Sequence, residues 1–124
     1  MNKSMPTPKE MEAIRSYIEI PIVLDVLQSN IKIVEQGFRI PVIFKASLIN
    51  LQDRASIDLK SIKKFLFNAG IKIIEEQRLK ESINIKYLCR GYVREFQMLH
   101  GVLQSRIESR ISNYLNVDIS KIER

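Results

Sequence analysis

The chain has 124 residues, 45% hydrophobic and 27% charged, which is enough apolar material for the core of one domain and too much for general disorder. Its longest uncharged apolar run, residues 40–44, is far shorter than the roughly 20 residues of a membrane span, and residues 1–8 lack the apolar stretch of a secretory signal. With Cys89 as its single cysteine, the chain cannot form an internal disulfide. We therefore expect a cytoplasmic protein with no membrane partner.

The positive charge of the chain is concentrated in its second part. Twenty Lys and Arg residues against fourteen Asp and Glu residues give a net charge of +6. Residues 1–55 hold seven basic and six acidic residues, a net of +1, whereas residues 56–124 hold thirteen and eight, a net of +5. A local positive excess attracts phosphate-rich partners.

The first part of the chain predicts a tail and two helices. Residues 1–8 contain two prolines and little to bury, so we expect a flexible tail, followed by a single domain over residues 9–124. A short helix is predicted over residues 8–17. A second begins at Pro21 and ends at Gly37, because apolar residues between them recur every three or four positions.

Residues 41–51 are apolar almost all round, which favours a largely buried helix, although residues 40–44 could equally form a short strand. The polar residues 52–57 then predict a break. Asp58 is typical of a helix N-cap, and the helix that it opens is predicted over residues 59–69.

The periodicity changes after Gly70. Apolar residues now alternate, as they do in strands: Ile71, Ile73, Ile83, Ile85, Tyr87 and Cys89. This predicts a β-hairpin with its tip near residues 80–82. From Tyr92 onward, spacings of three and four return and predict one long amphipathic helix over residues 92–115, although Gly101 in its middle costs about 1 kcal/mol relative to Ala.

The sequence offers no catalytic or metal-binding constellation. His100 is the only histidine and Cys89 the only cysteine, so a zinc site of the usual four Cys and His ligands cannot be built. The four glycines are scattered singly, which excludes a glycine-rich phosphate loop. We expect Cys89 to be a buried, unreactive thiol, and we expect no enzyme activity, no metal and no cofactor.

Residues 58–73 (DLKSIKKFLFNAGIKI), followed by a polar tip and residues 83–88 (INIKYL), resemble the third helix and wing of winged helix-turn-helix domains. The resemblance implies an α+β, mostly helical fold with a winged-helix-like core of three to four helices and one β-hairpin, followed by the long C-terminal helix. It also implies a recognition helix over residues 59–67 and wing contacts near Arg78 and Lys80.

These features predict a small basic DNA-binding protein that regulates transcription, with duplex DNA as the partner. Lysines that neutralise phosphates explain affinity better than sequence specificity, and a solvated lysine face on an ordinary surface helix is the competing interpretation. The predicted nucleic-acid-binding residues are Lys60, Lys63, Lys64, Arg78, Lys80, Arg90 and Arg94.

The long final helix predicts a homodimer. Met98 and Val102 lie outside its main apolar stripe, one turn apart, and winged-helix regulators commonly dimerise through such a helix. Arg110 interrupts the stripe, either to pair with a carboxylate across an interface or to lay its stem over apolar surface. The alternative function is a small helical protein-interaction domain with no nucleic-acid partner.

Overall fold

The computed structural model describes residues 5–122, which form two long helices, a three-stranded sheet and a shorter helix. The elements in chain order are α1 (Pro8–Gly37), α2 (Pro41–Asn68), β1 (Ile71–Arg78), β2 (Ser82–Cys89), β3 (Tyr92–Leu99), α3 (His100–Leu115) and a 3-10 turn (Ile119–Lys121). The strands form an antiparallel meander in the order β1-β2-β3. The predicted winged-helix core with a long C-terminal helix is therefore wrong, and of its parts only the β-hairpin is present.

Helix α1 joins the two helices that the sequence predicts on either side of Pro21. Buried side chains continue through the proline from Ala13 to Val34, so one apolar stripe packs along the whole helix. Pro21 itself is exposed, and its missing N–H group leaves one carbonyl group of the preceding turn without its helical donor. Thr7 and Glu10 form a capping box at the start, which orders the end of the predicted tail; residues 1–4 of that tail lie outside the described residues.

Helix α2 runs without interruption through the predicted break at residues 52–57. That segment contains neither Pro nor Gly, and its polar residues are the solvent side of a helix whose Leu51 and Ala55 are buried one turn apart. Asp58 lies in the interior of α2 and caps nothing; its carboxylate accepts a hydrogen bond from the Tyr114 hydroxyl of α3.

Strand β3 takes the first eight residues of the predicted long helix. Arg90 and Gly91 have positive φ angles of 47° and 91°, and this two-residue turn brings Tyr92 opposite Cys89. Phe96 and Met98 recur at the two-residue spacing of a strand, and in the sheet they face inward with Ile85 and Ile83. Helix α3 therefore begins only at His100 and has 16 residues.

The main core lies where the sheet meets all three helices. Its buried members are Ile18, Ile20, Val23 and Leu27 from α1, Leu51 and Ala55 from α2, Ile83, Ile85 and Met98 from the sheet, and Leu103 and Ile107 from α3. One face of the sheet is thereby covered. No helix within residues 5–122 has both the length and the apolar character needed to cross a bilayer.

Candidate nucleic-acid interface

Three of the predicted contact residues, Lys60, Lys63 and Lys64, lie together in the C-terminal half of α2 and are exposed. Phe67 follows Lys63 by four residues and Lys64 by three. At helical spacing these four side chains share one side of α2. No acidic residue occurs between Lys60 and the end of the helix at Asn68, a stretch of about two and a half turns.

Phe67 has 84% of its surface exposed, an unusual position for an aromatic side chain. It borders a groove of about 630 Å³ between α2 and the start of β1, to which Lys63 and Lys72 also contribute. None of the residues that line this groove is acidic. We call Lys60, Lys63, Lys64, Phe67 and Lys72 the lysine surface.

Arg78 and Lys80 lie at the far end of the β1-β2 hairpin, where the sequence predicts wing contacts. Arg78 is exposed and lines a second groove, of about 510 Å³, together with Lys63, Asp25 and Glu76. The two carboxylates offset the two cations, so this groove is electrically mixed. Lys80 is exposed in the loop between the strands.

The guanidinium group of Arg90 is bound by other residues of the chain. Its Nη1 lies 3.0 Å from Oε2 of Glu10, and its guanidinium also donates hydrogen bonds to the carbonyl oxygens of Met5 and Ala69, at 3.0 and 3.1 Å. These contacts join the β2-β3 turn to the start of α1 and the end of α2. The hydrogen bond from Arg90 lowers the pKa of Glu10, and the same bond raises the pKa of Arg90.

Arg94 is half-buried on the inner face of β3, opposite Tyr87 of β2. Burial raises the pKa of the Tyr87 hydroxyl, and the positive charge of Arg94 acts in the opposite direction. The sequence groups Arg90 and Arg94 with the lysines. In the structure Arg90 lies in the β2-β3 turn and Arg94 on the inner face of β3, apart from the lysine surface.

The structure separates the two residues of the predicted dimer surface. Met98 lies on β3 with only 5% of its surface exposed and belongs to the main core, because residues 92–99 form a strand rather than the helix that the sequence predicts. Val102 is exposed in the first turn of α3. Association of two copies stays a prediction, without Met98 in its interface.

A buried ion-pair network, which the sequence did not reveal, joins α1 to α3. Both carboxylate oxygens of Glu19, which is fully buried, accept hydrogen bonds from the Nε atoms of Arg106 and Arg110, at 2.5 and 2.6 Å. Glu12 accepts from both arginines, at 2.7 and 3.3 Å, and Ser16 accepts from Arg110. The hydrogen bond to Glu19 raises the pKa of Arg106. Arg110 thus finds its carboxylate within its own chain.

The single cysteine and the single histidine have ordinary surroundings. Cys89 is buried, and Nε2 of His100 lies 3.0 Å from the carbonyl oxygen of Leu79, near the tip of the hairpin. Among residues 5–122 no group of three or more His, Cys, Asp or Glu side chains is placed to hold a metal ion.

Phe67 and Lys72 are the members of the lysine surface that the sequence analysis missed. The four-residue step from Lys63 to Phe67 was visible in the sequence. A phenylalanine at the end of the apolar run FLF, however, is expected to point into a core, and its exposure depends on the direction in which α1 and β1 pack against α2.

Comparison with curated proteins gives no match, and comparison with solved structures gives none either. A family model does match: the one described as YhjD protein covers residues 5–119, nearly the whole chain and every element of the fold except the end of the 3-10 turn. The chain therefore belongs to the YhjD protein family.

Proposed function

We propose that this protein binds nucleic acid through the lysine surface and that it prefers single strands. The observation that supports this most directly is Phe67, an aromatic ring with 84% of its surface exposed beside three lysines of the same helix. Proteins that bind single strands combine cationic side chains, which follow the phosphates, with aromatic rings on which unstacked bases lie. The lysine surface supplies both components.

The geometry supports single strands better than the duplex that the sequence predicts. The duplex prediction depended on a recognition helix and a wing acting together, and the winged-helix fold is absent. A base in a duplex has both faces covered by its neighbours, whereas an unpaired base leaves a face open for Phe67. The proposed role is that of a small cytoplasmic regulatory protein acting on single-stranded nucleic acid.

The test is fluorescence anisotropy with a labelled mixed-sequence single strand and the duplex of the same sequence, across a salt series. The variant K60Q/K63Q/K64Q should weaken binding to the single strand and reduce the log–log salt slope by about two units, since each phosphate contact contributes roughly 0.7. F67A should weaken single-strand binding roughly five- to 150-fold and change duplex binding much less.

A matched control is K32Q/R39Q/K121Q, which removes the same charge from exposed positions outside the lysine surface. It should retain most of the affinity. Equal losses in the two triple variants would show a nonspecific effect of net charge and contradict the proposed site. No binding of either nucleic acid at low salt would contradict the function itself.

A protein-interaction domain is the second candidate. Leu99 and Val102, at the junction of β3 and α3, are both more than half exposed and lie three residues apart. This pair favours a protein partner, of which a second copy of the chain is the simplest. Failure of all nucleic-acid binding would make this the leading candidate.

A further inference from the structure

The connection between α1 and α2 carries a cluster of exposed apolar side chains. These are Ile33, Phe38, Ile40, Val42, Ile43 and Phe44, and we call them the hairpin tip. They occupy the end of the helical hairpin, at the opposite end of α2 from the lysine surface. Exposed apolar side chains grouped at one end of a protein are typical of a binding surface.

Ile40, in the connection between the two helices, has a strained backbone conformation. Ile40 has a φ of 53° and a ψ of 58°, in the left-handed region that β-branched residues avoid, and 68% of its surface is exposed. Gly or Asn would adopt this conformation at lower cost. An isoleucine here adds no core contact that would offset the strain, which points to a role outside the folded chain.

The tip also contains an apolar hollow. The rings of Phe38 and Phe44 meet edge to face with centroids 5.3 Å apart, and beside them lies a cavity of about 500 Å³. Ile33, Leu48 and Leu115 complete most of its lining.

Basic residues outnumber acidic ones in the segment that carries the tip. Between residues 30 and 46 the chain has Lys32, Arg39 and Lys45 against the single acidic residue Glu35, a net charge of +2. Lys45 pairs with Glu35 at 3.2 Å, so the remaining excess belongs to Lys32 and Arg39, both exposed.

We propose that the hairpin tip docks on the surface of an anionic lipid bilayer. Its aliphatic and aromatic side chains enter the boundary between headgroups and acyl chains, while Lys32 and Arg39 contact lipid phosphates. This pattern of apolar residues beside basic ones is that of peripheral membrane segments. Charge disfavours a second copy, because a symmetric contact would bring two positive tips together.

Surface docking departs from the expectation of no membrane partner. That expectation depended on the lack of a spanning segment and of a secretory signal, and docking requires neither. It is also independent of nucleic-acid binding. Lys60 follows Phe44 by sixteen positions along the helix, which is about 24 Å at the rise of an α-helix. The two surfaces can therefore be tested separately.

The direct test uses tryptophan fluorescence, since the chain contains no tryptophan of its own. F44W should show a blue-shifted emission with vesicles of phosphatidylcholine and phosphatidylglycerol in equal parts, and brominated acyl chains should quench it. With vesicles of phosphatidylcholine alone the shift should be much smaller. F67W places the probe in the lysine surface and should show neither blue shift nor quenching.

Vesicle flotation with two further variants tests the separate contributions. I40S/I43S should lose most of the binding, while L99S/V102S, which removes two apolar side chains elsewhere that are also more than half exposed, should retain it. K32Q/R39Q should weaken binding about 25-fold, at roughly fivefold for each basic residue. Circular dichroism of every variant confirms that the helices remain.

Three outcomes would overturn the proposal. The first is an F44W emission that anionic vesicles leave unchanged. The second is vesicle binding that K60Q/K63Q/K64Q abolishes and I40S/I43S leaves intact, which would assign the contact to the lysine surface. The third is a dimer, detected by light scattering, that I40S/I43S dissociates, which would assign the tip to a second copy.

Discussion

Two basic clusters of this protein look alike in the sequence and differ completely in the structure. Arg106 and Arg110 lie one turn apart on α3, as Lys60 and Lys64 do on α2. The arginines close on the buried carboxylate of Glu19, with Nε to oxygen distances of 2.5 and 2.6 Å. The lysines are exposed on a helical segment that contains no carboxylate.

The difference shows what decides whether a basic residue is available to a ligand. Glu12, Ser16 and Glu19 lie on successive turns of one face of α1, and α3 packs against that face, so their oxygens meet both guanidinium groups. A guanidinium offers several donors in a fixed plane and can serve two carboxylates at once, which an ammonium group does less well. The number of basic residues in a sequence therefore overstates how many of them remain available to a partner.

The largest expected effect comes from breaking the arginine cluster. E19A should lower the free energy of unfolding by about 3–5 kcal/mol, because it leaves two partly buried guanidinium groups without their main carboxylate. Urea denaturation followed by circular dichroism measures it. E35A, which removes a half-exposed carboxylate paired only with Lys45, is the control and should cost less than about 1 kcal/mol. If both substitutions cost the same, the network does not hold α3 to α1.

The fold could be predicted where the spacing of apolar residues fits only one kind of secondary structure. The β1-β2 hairpin was correct because strict alternation over residues 83–89 fits only a strand. The predicted ends of the helices are wrong. Pro21 predicts the start of a helix, but α1 passes through it, because the proline is exposed and the apolar stripe continues past it. The polar residues 52–57 predict a break, but they also fit the solvent face of one helix.

Residues 92–99 were the most ambiguous segment. Tyr92 and Phe96 are four residues apart, as on one face of a helix, whereas Phe96 and Met98 are two residues apart, as on one face of a strand. Periodicity alone therefore could not distinguish a helix from a strand here. The feature that favours a strand is the preceding dipeptide Arg90-Gly91, which forms a turn whose two positive φ angles suit a hairpin. The exposed side that Lys60, Lys63 and Lys64 share on α2 was predictable from their spacing, and their contact with a ligand stays a prediction. Which of the other basic residues were tied to carboxylates depended on packing between distant segments.

An intermediate effect is expected at the Arg90-Glu10 pair, because the Glu10 carboxylate is 13% exposed whereas that of Glu19 is fully buried. The pKa of Glu10 is lowered in the fold, so its stabilising contribution is complete above its unfolded pKa of about 4.5 and is lost as the pH falls through the lower folded value. E10Q should cost about 1–2 kcal/mol at neutral pH and flatten the decline in stability below pH 4.5. Denaturation measured as a function of pH tests both; a variant with an unchanged acid profile would assign the decline to other carboxylates.

The smallest effect on stability is expected at the lysine surface, and it sharpens the contrast with the arginines. K60Q/K63Q/K64Q should change the free energy of unfolding by no more than about 0.5 kcal/mol, because exposed side chains leave no cavity and no unpaired partner when they are replaced. The variant should be slightly more stable than the unmodified protein. Lys60 and Lys64 lie one helical turn apart, and like charges at that spacing repel by a few tenths of a kcal/mol, a cost that the neutral amides remove. Urea denaturation of this variant beside E19A makes the comparison directly. A loss above about 1 kcal/mol would mean that the lysines support the fold and would remove the reason to assign them to a ligand. If instead the stability is unchanged and the variant no longer binds nucleic acid in the anisotropy experiment, the lysines are needed for binding and not for folding.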